Sequence, residues 1–239
     1  MSIYVMSDIH GLASRFEAML QKIQIQEEDH VYILGDIIDR GKDGIKILQK
    51  IMNEKYFTLI LGNHELMMLE YYEDLKQKEQ NDEYRERWAR NGCEPTMAAF
   101  EALTPREQEE LLAYIKKSPL AISDVIVKDR FFYLVHGAPV TSLRSGAAYL
   151  HSDFIKLFPA HDFVWNRMSK ECIPFEDRTV IIGHTITSFY QSEHPYAVWS
   201  DHKDLTKAKL IDIDCGCACN DKYTQLACIR LDDMKVYYV

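Results

Sequence analysis

Residues 31–41 read Val31-Tyr32-Ile33-Leu34-Gly35-Asp36-Ile37-Ile38-Asp39-Arg40-Gly41. An apolar run breaks at a glycine and gives way at once to two carboxylates and an arginine. Such a break predicts a buried strand whose carboxyl end opens into a loop that carries chemistry. The pattern occurs four more times. Asp8-Ile9-His10-Gly11 follows the run 2–7, and Gly62-Asn63-His64-Glu65 follows the run 56–61. His136-Gly137 follows Phe131–Val135, and Gly183-His184-Thr185 follows Thr179–Ile182. Polar side chains at the carboxyl ends of neighbouring strands converge on one edge of a sheet. Convergent Asp, His and Asn are what a pair of divalent metals needs.

Working outward, Leu12, Phe16, Met19, Leu20 and Ile23 have helical spacing over 12–25, as do Ile45, Ile47, Leu48 and Ile51 over 44–52. The order β-α-β-α-β predicts a mostly parallel layer with helices on its faces. From Glu65 to Lys117 no strand pattern is evident, and a helical insertion that roofs the site is expected. Thr104-Pro105-Arg106-Glu107 reads as a helix start with proline at the first position. The charged stretch Leu75–Arg87 reads as a solvated helical face or a mobile connection rather than a partner surface. Beyond Pro119, strands are expected at 120–127, 131–135, 179–182, 196–199, 209–214, 226–231 and 236–239, with tight turns favouring antiparallel hairpins. A parallel first half and a hairpin-rich second half predict a two-layer sheet sandwich flanked by helices, as a single domain over 1–239.

The 239 residues are 47% hydrophobic, enough for an ample core. A net charge of −9 and the lack of a long basic run argue against a nucleic-acid polymer as partner. No basic segment followed by an apolar one opens the chain, so no signal peptide is expected. No apolar stretch approaches membrane-spanning length, so no membrane partner is expected and the cytoplasm is the expected compartment. Of the 6 cysteines, Cys215, Cys217, Cys219 and Cys228 lie close together. Their C-x-C-x-C spacing departs from the paired C-x₂-C of common zinc modules, so structural cysteines are favoured over a thiolate metal site.

In the chemistry of the clusters, Asp8 and His10 project to one side if the chain stays extended between them. Asp36 arrives from the next strand and can bridge two cations through its two oxygens. Asn63 adds a neutral oxygen, and His136 and His184 add imidazole nitrogens. No thiolate belongs to the set, which suits Mn²⁺ first, with Fe or Zn²⁺ as alternatives. His64, next to Asn63, lies near the metals without being bound by them and is a candidate general acid. Asp39 could orient that imidazole, and Arg40 offers a planar fork for phosphate oxygens. Trp88, Arg90 and Asn91 sit in the insertion, and packing is favoured over substrate reading for Trp88. His30, His151, His161, His194 and His202 match no motif.

The ordered set DxHG, GDxxDRG, GNHE, HG and GH resembles the phosphoprotein-phosphatase branch of the calcineurin-like metallophosphoesterases. The resemblance covers residues 8–185 and is less distinct between 70 and 130. It implies a four-layer α/β/β/α sandwich. It implies one metal on Asp8, His10 and Asp36 and a second on Asp36, Asn63, His136 and His184, with Asp36 bridging. It also implies His64 as proton donor paired with Asp39, and Arg40 as a phosphate ligand. Phe163-Val164-Trp165-Asn166-Arg167 is similar to the stretch that carries a second phosphate-binding arginine, which assigns that role to Arg167. His151 and His161 lie close enough to Arg167 in sequence to reach the pocket rim. The implied reaction is hydrolysis of phosphate monoesters by a hydroxide activated on the metals. The implied substrate is a phosphorylated protein or a nucleotide. Asp39 and Glu65 favour a serine/threonine protein phosphatase. The alternative is a symmetric bis(5'-nucleosyl)-tetraphosphatase, whose branch commonly reads GNHD and often lacks the acid beside the arginine. A non-catalytic phosphate-binding module is disfavoured because every implied ligand and the acid are present.

Overall fold

The computed structural model describes residues 1–140, 155–172, 175–219 and 221–239. The first half alternates β1 (Ile3–Met6), α1 (Ala13–Ile23), β2 (His30–Ile33), α2 (Gly44–Asn53) and β3 (Phe57–Leu59). Four helices follow without an intervening strand: α3 (Asn63–Asp74), α4 (Asp82–Arg90), α5 (Glu94–Glu101) and α6 (Pro105–Lys117). The remainder holds β4 (Ala121–Val127), β5 (Arg130–Val135), α7 (Ala160–Val164), β6 (Thr179–Ile182), β7 (Trp199–Ser200), β8 (Leu210–Asp212), β9 (Ala227–Arg230) and β10 (Lys235–Tyr238).

The strands form two five-stranded sheets, ordered β10-β9-β1-β2-β3 and β4-β5-β6-β8-β7. Strand alternation sorts their side chains. Val5, Phe132, Leu134, Ile181, Ile211 and Ile229 form the apolar layer between the sheets. Their neighbours Tyr4, Met6, Tyr133, Val180 and Ile182 belong to the outer core. On the first sheet that core includes Phe16 and Met19 of α1 and Ile47 and Leu48 of α2. On the second it includes Phe163 and Val164 of α7. This is the mixed α/β architecture expected, with two sheets and seven helices among the described residues. α6 begins as its sequence predicts: Thr104 Oγ1 accepts the Glu107 N–H at 3.3 Å, and Glu107 reaches back to the Thr104 N–H at 2.8 Å. Among the described residues no helix is long and apolar enough to cross a membrane.

Two expectations are corrected. Both expected hairpins form, β4–β5 across Lys128-Asp129 and β9–β10 across Asp232-Asp233, but β5, β6 and β8 between them are mutually parallel. Long connections separate them, and β6 is buried throughout, the usual setting of a parallel strand. The hairpin β9–β10 joins β1 antiparallel and so belongs to the first sheet. The strand expected at 196–199 is confined to Trp199–Ser200, because Ala197 instead closes a turn onto the His194 carbonyl at 3.1 Å.

Register places the chemistry. Met6 pairs with Ile33 and Ile33 with Leu59, so the loops after β1, β2 and β3 leave the first sheet side by side. Leu134 pairs with Ile181 and Ile182 with Asp212, which does the same for the second sheet.

Candidate active site

All six expected metal-ligand residues meet where the two sets of loops face each other. Asp8, His10, Asp36, Asn63 and His136 are each at most 3% exposed. Asp36 is at the centre. Its Oδ2 faces His10 Nε2 at 3.7 Å, while its Oδ1 faces His136 Nε2 at 3.4 Å. His10 Nε2 also lies 4.0 Å from Asp8 Oδ1, and His136 Nε2 lies 2.9 Å from Asn63 Oδ1. The ligand atoms of Asp36, His136 and His184 fall within 4.8 Å of one another, and so do those of Asp36, His10 and His64. One carboxylate therefore turns an oxygen toward each of two histidine groups.

The convergence of Asp8 and His10 has a different cause from the one expected. The chain between them is not extended, because Asp8 and His10 both adopt left-handed backbone, with φ 54° and 48°. Asp36, Asp39, Arg40 and His184 do likewise, with φ 54°, 70°, 66° and 64°. Left-handed backbone costs ordinary residues about 1–3 kcal/mol each and persists only where the surroundings enforce it. Here the loops brace one another. The Asp8 N–H donates to Gly35 O, His10 N–H to Asp36 O and Gly11 N–H to Ile37 O. Gly183 is required by close approach, since a Cβ there would collide with Ser7 Oγ and Asp8 Oδ2.

The donor set fits divalent cations on three counts. Each imidazole expected to ligate spends one nitrogen on a backbone carbonyl, His10 Nδ1 on Ile38 and His136 Nδ1 on Leu34, and His184 bonds the backbone of Trp165. This backing commonly orients metal-bound histidines. His184 Nε2 is left buried without a partner. Burial, then neighbouring His64, pulls His10 well below the usual imidazole range. Burial, then His184, does the same to His136. His184 is lowered to about 3 by burial, then Arg167. All three are thus in the neutral, ligating form at neutral pH. Burial, then Asp214, pushes Asp8 well up, and burial, then Asp8, does so to Asp36. Such crowded buried carboxylates call for a cation.

His64 lies in the first turn of α3, which begins at Asn63 rather than after the GNHE motif. Its Nδ1 donates to Asp39 Oδ2 at 2.6 Å. Its Nε2 lies 3.8 Å from Asp36 Oδ2, about as near as His10, but also 3.4 Å from the Arg40 guanidinium. A cation on that nitrogen would stand beside a fixed positive charge, which disfavours His64 as a ligand. Arg40 and Arg167 both line the pocket. Arg167 is anchored by bonds to Thr185 Oγ1 at 3.0 Å and His184 O at 3.3 Å. The pocket measures ≈ 240 Å³, and exposed Phe189 stands on its rim beside Arg167. His161 pairs with Glu70 at 3.3 Å and stacks on Trp165 but does not line the pocket, and His151 lies outside the described residues. Asn91 does line it, while Trp88 is fully buried.

Three contributors escaped the sequence reading as site residues. Asp214 lines the pocket and is pushed up to about 6 by burial. It follows Leu210-Ile211-Asp212-Ile213 at the end of β8, where Asp212 already interrupts the apolar residues, so the signal that marks Asp8 and Asp36 is absent before it. Glu65, singled out only as a family marker, accepts the backbone N–H groups of Asp36 and Ile37, both at 2.8 Å, and of Gly62 at 3.2 Å. It thereby ties the second loop to the third. Trp88 donates to Asp39 Oδ2 at 2.8 Å.

The six cysteines are free, and no group of metal-ligating side chains among the described residues includes one. Burial pushes the Cys93 and Cys217 thiols up to about 11 and about 12, far from the thiolate a metal requires. A larger groove, ≈ 470 Å³, lies along Pro195, Tyr196 and Tyr223, away from the metal-ligand residues.

Comparison with known proteins agrees with this geometry. The family profile described as calcineurin-like phosphoesterase matches residues 1–211. The symmetrical bis(5'-nucleosyl)-tetraphosphatase of Wigglesworthia glossinidia brevipalpis is 30% identical over 138 residues, 57% of this chain and 44% of that protein. That of Buchnera aphidicola subsp. Schizaphis graminum is 34% identical over 88 residues, 36% of this chain and 32% of that protein. The matched stretches thus span less than half the length of these relatives. A crystal structure of a putative diadenosine tetraphosphatase covers 100% of the chain and 92% of its own, at TM-score 0.62 and 12% identity. A Saccharomyces cerevisiae protein serine/threonine phosphatase with similarity to human phosphatase PP5 covers 100% and 79%, at TM-score 0.65 and 15% identity. At such identities these two structures speak for the fold alone.

Proposed function

Since this chain belongs to the calcineurin-like phosphoesterase family, we propose that it is a metal-dependent phosphoric ester hydrolase acting on phosphate monoesters, as a serine/threonine protein phosphatase. Asp8, His10 and Asp36 hold one divalent cation. Asp36, Asn63, His136 and His184 hold the other. Oxygen and nitrogen donors without thiolate favour Mn²⁺, with Fe or Zn²⁺ as alternatives. The pair of cations supplies an activated water and positive charge for the phosphoryl oxygens. Arg40 and Arg167 grip and orient the phosphate from the pocket wall. His64 Nε2 carries the proton for the departing oxygen, and Asp39 holds the opposite N–H, fixing the tautomer. The chain works as one domain, and its free thiols suit the reducing cytoplasm.

The observation that carries the monoester reading is the buried Asp39–His64 pair. A serine or threonine side chain leaves as an alkoxide and needs a proton. A nucleoside diphosphate leaves as a stable anion and does not. A pocket of ≈ 240 Å³ also takes a phosphate and its nearest atoms while the carrier stays outside. The identity with tetraphosphatases favours a second reading, symmetric hydrolysis of dinucleoside tetraphosphates.

Manganese-loaded protein separates the two when offered p-nitrophenyl phosphate, a phosphoserine peptide and diadenosine tetraphosphate. The expected order of kcat/KM places the phosphopeptide above the dinucleotide. The reverse order would select the second reading, and no turnover of any of the three would remove both.

A further inference from the structure

Asp39 and Arg40 are gripped by a segment of the helical insertion that contributes only Asn91 to the pocket wall. Both residues hold left-handed backbone, and three hydrogen bonds from residues 88–96 keep them there. The Asp39 N–H donates to Thr96 Oγ1 at 2.8 Å, the Arg40 N–H donates to Gly92 O at 2.9 Å, and the Trp88 indole N–H donates to Asp39 Oδ2 at 2.8 Å. Asp39, Trp88 and Thr96 are at most 1% exposed. Gly92 is itself left-handed, φ 86°, and a Cβ there would sit 3.3 Å from Arg40 Cγ.

The arrangement on Asp39 is lopsided. Its Oδ2 receives both the His64 imidazole and the Trp88 indole, while its Oδ1 is buried without a partner. A carboxylate rotation that freed either donor would break the other bond as well. The indole cannot follow such a rotation, because Tyr71 and Tyr72 pack on it with ring centroids at 5.5 and 5.9 Å, and Tyr72 packs in turn on Phe100 at 4.4 Å. A buried indole N–H needs an acceptor wherever it sits, and here that acceptor is the same carboxylate oxygen that holds His64.

We propose that Trp88 is a positioning residue: its indole N–H, assisted by Thr96 and Gly92, locks the Asp39–His64 pair and Arg40 in register with the Asp36-centred cluster. The inference rests on the reading of His64 as proton donor. It assigns the insertion a role in catalysis distinct from substrate contact.

Trp88→Phe keeps an aromatic ring in place and removes only the donor. In the manganese-loaded enzyme its kcat should fall on both p-nitrophenyl phosphate and a phosphoserine peptide, but about tenfold further on the peptide, whose leaving oxygen needs the proton. KM and metal content should change little. Tyr72→Leu, which erodes the packing but leaves the N–H, should lose equally on both substrates. Equal losses in Trp88→Phe would overturn the proposal. A second readout needs no turnover. In the metal-free protein the Trp88 indole proton should exchange slowly with solvent, and its resonance should move on Asp39→Asn. Free exchange and an unmoved resonance would overturn the proposal even if the wild type hydrolysed neither substrate, an outcome that would count against the phosphatase reading alone.

Discussion

Asp36→Asn is expected to lose affinity for both cations and to lower kcat/KM by about 10³–10⁵, since metals contribute several kcal/mol to such reactions and each 1.36 kcal/mol is tenfold. The size follows from geometry. Asp36 turns one oxygen to His10 and the other to His136, so both proposed cations would depend on it. An amide keeps one neutral oxygen and presents a nitrogen that cannot ligate. The loss should not be unfolding in disguise. Burial and Asp8 raise the Asp36 carboxyl in the folded protein, so stability is lost as pH rises from the unfolded carboxylate pKa to that raised value and stays lost above it. Below the unfolded carboxylate pKa of about 3.9 the cost is absent. Metal-free Asp36→Asn should therefore be at least as stable as metal-free wild type at pH 7, with the difference vanishing toward pH 4. Elemental analysis that finds two metals retained in the variant would refute the bridging assignment.

His64→Asn should separate proton transfer from metal binding. Turnover of a phosphoserine peptide should fall by about 10²–10⁴, the usual contribution of general acid catalysis, with metal content unchanged. His64 is tied to Asp39 through Nδ1 and faces Arg40 through Nε2, so its removal leaves the six ligands in place. The loss should be smaller on p-nitrophenyl phosphate, whose leaving group departs without a proton. Metal lost in step with activity would place His64 inside the coordination sphere, where its 3.8 Å approach to Asp36 makes it the one competing candidate in the first group.

What could be read from the sequence was local. Gly35-Asp36 after an apolar run announces a strand end whichever strands lie beside it, and the repetition of that signal brought Asp8, Asn63, His136 and His184 into the same set. The unread features depend on partners distant in the chain. Glu65 acts through backbone N–H groups 27–29 positions away, and Trp88 through a carboxylate 49 positions away. No periodicity carries such information. Asp8 and His10 show a right destination reached by a wrong route: adjacent loops, not an extended chain, turn both side chains inward. The parallel pairing inside the second sheet is hidden for a related reason, while its β4–β5 hairpin is legible from the Lys128-Asp129 turn. Long connections between β5, β6 and β8 allow parallel pairing that turn signals do not report.

One cluster of residues, joined through Asp36, is proposed to hold two cations that act together on a phosphate ester. The most direct test of this proposal is a titration of metal-free protein with Mn²⁺ while bound metal per chain and hydrolysis of p-nitrophenyl phosphate are followed in the same samples. Activity should rise to a plateau at two bound Mn²⁺ per chain. A plateau at one, or two bound ions without hydrolysis, would contradict it.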